Sequence, residues 1–67
     1  MKVYEFIGMF VEENEQHIEL WDNATEKIVF KGCYPDMPSQ FAYSTITSID
    51  NITDGTNGIT LNIDIVD

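Results

Sequence analysis

Arginine is absent from this 67-residue chain, lysine occurs three times, and twelve Asp and Glu side chains leave a formal net charge of −9. That shortage of cations argues against direct nucleic-acid binding, because neutralising phosphates takes a patch of basic side chains. Cysteine is almost missing too. With Cys33 alone there is no intrachain disulfide, and the sequence offers no ligand set for a structural zinc, so no metal ligand and no cofactor are expected. No apolar run approaches the roughly 20 residues of a membrane span, and no membrane partner is expected. Glu5 interrupts the first apolar segment and Glu12 and Glu13 close it, which is not the pattern of a secretory leader; a cytoplasmic setting is expected. Without such a leader the triplets Asn23-Ala24-Thr25 and Asn51-Ile52-Thr53 carry no weight as glycosylation acceptors.

What the chain does have is patterned apolar content. Hydrophobic residues make up 43%, with Phe6, Phe10, Trp21, Phe30, Tyr34, Phe41 and Tyr43 spread along the length, whereas a disordered acidic tail lacks such residues. The charge therefore belongs to a folded surface. Residues 1–67 are expected to form one small α+β domain. A domain of this size buries only about 60% of its unfolded surface, which makes self-association a reasonable expectation.

Val3, Phe6, Ile7 and Phe10 recur at the spacing of one helical face, so Lys2 to about Glu12 reads as an amphipathic helix. A strand competes, but neither alternating side would be clean. Gly8 costs about 1 kcal/mol in a helix interior. From Gln16 the period becomes two: Ile18 and Leu20 alternate with His17, Glu19 and Trp21, and Ile28 and Phe30 alternate with Lys27, Val29 and Lys31 beyond a turn-prone Asp22 to Glu26 stretch. This predicts a hairpin with Leu20 opposite Ile28 and Ile18 opposite Phe30 on the helix-facing side. On the other side Trp21, Glu19 and His17 meet Lys27, Val29 and Lys31. Pro38-Ser39-Gln40-Phe41 predicts one short turn that Asp36 would cap. A third strand from about Tyr43 to Ile49, a turn over Asp50 to Gly58 and a last strand over Ile59 to Ile65 complete the expectation. The architecture is a helix on a four-stranded, mostly antiparallel sheet.

Read end to end, Lys2-Val3-x-Glu5-Phe6, Ile18-Glu19-Leu20-Trp21-Asp22-Asn23, Val29-Phe30-Lys31-Gly32, Asp36-Met37-Pro38, Ser48-Ile49 and Leu61-Asn62-Ile63 form a pattern along nearly the whole chain. The pattern resembles small acidic proteins encoded in phages, prophages and mobile elements of gut Firmicutes. Its motifs are structural, so the resemblance transfers no functional residue. It implies a setting in which some acidic proteins inhibit host defence and some imitate nucleic acid. Cys33 and the Asp50 to Gly58 stretch lie outside that pattern.

No constellation in the sequence supports an enzyme. A Cys-His pair needs Cys33 and His17 in contact with a third group orienting the imidazole; the hairpin register above sets His17 opposite Lys31, two residues before Cys33, which allows proximity, but a lone His and a lone Cys on adjacent strands are ordinary. Asp50, Asp54 and Gly55 fit three positions of a helix-loop-helix calcium loop, but Ile52 and Leu61 stand where two ligands belong. The interaction signals are stronger. Glu12, Glu13, Glu15, Glu19, Asp22 and Glu26, together with Trp21, are the expected partner-binding residues, and the expected partner is a basic protein surface. Trp21 has two readings, an anchor for a partner or a stack on Lys27. A homodimer through a sheet face or the Ile59 to Ile65 strand is the alternative. Solubility alone also accounts for an acid excess.

Overall fold

The computed structural model describes residues 1–10, 13–51 and 58–65, excluding the side chains of residues 13 and 51. Helix α1 (Val3–Ile7) opens the chain, followed by a 3-10 turn (Glu13–Glu15), strands β1 (His17–Asp22) and β2 (Lys27–Cys33), 3-10 turns over Tyr34–Asp36 and Ser39–Phe41, and strands β3 (Thr45–Asn51) and β4 (Gly58–Asp64).

The helix is five residues long, not eleven. After Gly8, which stays right-handed at φ −63°, the chain tightens: Met9 N–H donates to Phe6 O and Phe10 N–H to Ile7 O, three residues back instead of four. Residues 11 and 12, the end of the predicted helix, lie outside the described residues. What remains is held at its N-terminal end. Glu5 Oε1 accepts the Lys2 N–H at 3.0 Å, and the first-turn N–H groups of Val3 and Tyr4 donate to Ser44 O and Ala42 O. Val3 and Ile7 are fully buried, and Phe6 and Phe10 meet edge to face with centroids 5.3 Å apart.

The four strands form one mixed sheet in the order β2-β1-β4-β3. The two hairpins are antiparallel, and their inner strands β1 and β4 run parallel through the middle. This placement corrects one expectation about self-association. The Ile59 to Ile65 segment is not an edge open to a second copy, because β4 pairs with β1 on one side and β3 on the other. The edges are β2, with Lys27 and Lys31, and β3, with an irregularity at Thr47; edge lysines and bulges blunt edge pairing.

Ile18 and Leu20 of β1 and Leu61 and Ile63 of β4 have no solvent exposure, and they join Val3, Ile7 and Phe41 in the core. Phe30, Ile46 and Ile59 pack against that cluster. Burying each of these side chains contributes roughly 1.5–3 kcal/mol, so central strands with the cleanest alternation dominate the packing. The short turn expected before β3 is present as Ser39–Phe41, with Pro38 just ahead of it; no side chain caps it, so Asp36 does not serve there.

The first hairpin departs from the expected register. Trp21 pairs with Ile28 and Asp22 with Lys27, then Val29 bulges, and beyond it Leu20 pairs with Phe30, Glu19 with Lys31, Ile18 with Gly32 and His17 with Cys33. Ile28 thereby joins Trp21 on the face away from the core and is 50% exposed, while Val29 packs against the core. Trp21 does not stand opposite Lys27. A second irregularity in β3, between Ile46 and Ser48, leaves Thr47 unpaired in the ladder.

Candidate functional site

The expected partner-binding residues do not share one surface. Glu12 lies outside the described residues, as does the side chain of Glu13. Glu15 is exposed at the end of the first 3-10 turn and Glu26 is exposed in the hairpin loop. They flank opposite ends of the six-residue strand β1, which at a rise near 3.3 Å per residue is about 20 Å long. Glu19 lies between them, its side chain only 14% exposed, and its Oε2 meets Lys31 Nζ at 3.8 Å. Trp21 is half-buried, with Ile28 on one side and Asn62 of β4 on the other.

Asp22 is a correction. It is 5% exposed and belongs to the turn. Oδ1 accepts the Ala24 N–H at 3.1 Å, Oδ2 accepts the Thr25 hydroxyl at 2.8 Å, and its carbonyl accepts the Glu26 N–H at 2.8 Å. An aspartate followed by turn residues makes these bonds because its short carboxylate reaches the backbone two residues on. The loop closes with Glu26 at φ 56°. Its tip is then tied to the far hairpin: Asn23 Nδ2 donates to Thr47 Oγ1 at 2.9 Å and Asp64 Oδ1 at 3.1 Å, and the Asn23 N–H donates to Ile63 O. Thr47, the bulged residue, in turn donates to Asn62 O. Asn23 of the first glycosylation-like triplet is thus a structural tie, and the second triplet runs outside the described residues.

Among the described residues, the remaining exposed carboxylates, Glu5, Asp36, Asp50 and Asp64, sit on the helix, on the connection after β2, on β3 and on β4. Negative charge is therefore distributed around the molecule. Among the described residues no three His, Cys, Asp or Glu side chains converge as a metal centre would require. The calcium-loop reading falls partly on residues 52–57, outside the described residues. Among the described residues, too, no helix is long and apolar enough to cross a membrane.

One contact follows from the two-residue change of register. On the sheet face opposite the core, His17 stands directly across from Cys33, with Sγ 3.5 Å from Nε2. His17 is exposed and Cys33 half-buried. The pairing was within reach of sequence reasoning, which had both residues on adjacent strands and missed the loop offset and the bulge that together bring them level. Compared with known proteins, the chain matches no family model, no curated protein and no solved structure.

Proposed function

We propose that this chain is a non-enzymatic acidic binding module that docks on a basic protein surface, and in its finer form an inhibitor that occupies the nucleic-acid-binding groove of a host protein. The observation that carries the reading is how the charges are disposed. Lys31 is engaged by Glu19 and Lys2 Nζ donates to Thr45 Oγ1, while Glu5, Glu15, Glu26 and Asp36 stand outward on separate elements. A field of one sign around a small rigid body accelerates encounter with a basic surface and repels nucleic acid. The reading contains no catalytic step.

The test is affinity capture from a lysate of the encoding organism, with the chain immobilised, at ionic strengths of about 0.1 M and about 1 M, where the screening length falls from roughly 10 Å to 3 Å. A partner with a basic surface is retained at the lower salt and released at the higher. A triple variant, Glu15→Gln, Glu26→Gln and Asp36→Asn, retains less of it. A partner held equally at both salts, or equally by wild type and triple variant, overturns the electrostatic reading.

A further inference from the structure

We propose that His17 and Cys33 form a two-donor half-site for Zn2+, and that the same pair from a second copy of this chain closes it into a four-coordinate centre. This inference is independent of the binding reading above. Its first support is a distance. Zinc bound by imidazole at about 2.05 Å and by thiolate at about 2.3 Å, with a tetrahedral angle between them, separates the two donor atoms by about 3.6 Å. Cys33 Sγ and His17 Nε2 are 3.5 Å apart, the separation of a thiol–imidazole hydrogen bond and also that of two donors on one tetrahedral ion, so exchanging the thiol proton for a metal needs no change in their distance.

The second support is how that distance is held. His17 begins β1 and Cys33 ends β2 as directly opposed residues, and just beyond them the Tyr34 N–H donates to Gln16 O at 3.1 Å, which continues the pairing past the site. Gln16 Nε2 also donates to His17 O at 2.9 Å. The backbone is thus fixed on both sides of the pair, and the ligands are presented by a rigid ladder instead of a loop.

The third support concerns closure. A structural zinc is almost always four-coordinate, and among the described residues no third donor of the same chain converges on the pair. Glu19, one step along the same face, is engaged by Lys31. A two-fold axis supplies the missing half without any new sequence feature, since an isologous interface contributes each ligand twice. The pair sits at the corner of the sheet where the edge strand β2 ends, so a second copy reaches it without displacing a strand. The balance of charge also permits it. Two thiols each release a proton, and two thiolates, two neutral imidazoles and Zn2+ sum to zero, adding nothing to the repulsion between chains of net charge −9.

The experiment titrates Co2+, a spectroscopic substitute for Zn2+, into the full chain kept reduced with a phosphine. The expected result is a near-ultraviolet sulfur-to-cobalt charge-transfer band with intense visible bands of tetrahedral cobalt. They should saturate at one metal per two chains and be lost in both His17→Ala and Cys33→Ser. Sedimentation should show a dimer with Zn2+ and a monomer with chelator, the dimer strengthening with salt as the acidic surfaces are screened. A second measurement stands apart from the spectrum: Zn2+ should slow iodoacetamide labelling of Cys33 by about tenfold or more in wild type and not in His17→Ala. Each variant is first checked for the wild-type circular dichroism spectrum. A weak octahedral cobalt spectrum, saturation at one metal per chain, a monomer under saturating Zn2+, or zinc protection that survives His17→Ala overturns the proposal.

Discussion

Replacing Asp22 by alanine removes both side-chain bonds that shape the first hairpin loop, to the Ala24 N–H and the Thr25 hydroxyl, and leaves the carbonyl bond to the Glu26 N–H in place. A bond to an ionised carboxylate contributes about 1.5–3 kcal/mol when buried, and loss of a comparable capping aspartate costs about 0.5–2 kcal/mol. Ala24 and Thr25 are exposed, so the orphaned donors can turn to water, and a net loss of about 2 kcal/mol is expected. A domain of this length has a total stability of roughly 3–10 kcal/mol, and 1 kcal/mol moves its midpoint by about 4–8 °C. The expected drop in Tm for Asp22→Ala is therefore about 8–16 °C by circular dichroism. Asp22→Asn keeps an acceptor for the Ala24 N–H and should lose half of that or less. Glu26→Gln, at an exposed position in the same loop, should stay within about 0.5 kcal/mol of wild type. If Asp22→Ala melts within about 3 °C of wild type, or Glu26→Gln falls as far, the inward role of this carboxylate is wrong.

Three further perturbations probe other parts of the fold. Leu61→Ala empties a site with no solvent exposure in the central strand, and a cost of about 2–5 kcal/mol takes up much of the total stability; urea titration should show a greatly lowered midpoint or no folded baseline. Gly32 has φ +157°, and a Cβ there would lie 3.3 Å from Phe30 Cζ, so Gly32→Ala should cost about 1–3 kcal/mol in the same titration. Ser44 is fully buried and its hydroxyl has no hydrogen-bond partner among the described residues, so Ser44→Ala should leave the midpoint unchanged or raise it by up to about 1 kcal/mol equivalent.

Strand content was legible where alternation was clean. Ile59, Leu61 and Ile63 mark β4 within one residue at each end, and Ile18 and Leu20 mark the buried face of β1, because a period of two has one reading when one face must be dry. The helix was over-extended because spacing alone carries no information on where the i−4 bonds give way, which happens here after Gly8. Hairpin pairing was misread for a different reason. The loop geometry set by Asp22 and Glu26 moves the turn end of the register by one, and the Val29 bulge moves it by one more. Together the two steps separate a polar pair of no consequence, His17 with Lys31, from a thiol–imidazole pair at ligand distance.

The parallel contact between β1 and β4 was beyond the sequence altogether, since neither strand records which non-adjacent neighbour it will meet. That contact decides the most about the architecture. It puts the terminal strand in the middle of the sheet and withdraws it from self-pairing, and with Asn23 bound to Thr47 and Asp64 it locks the two hairpins together. Composition by itself determined that the chain is acidic and that no intrachain disulfide staples it, because those properties are sums over residues, and apolar periodicity determined the α+β class. Tertiary structure alone decided which carboxylates face outward and which donors meet, because burial and distance depend on register, and register is settled only when loops, bulges and core packing are satisfied together.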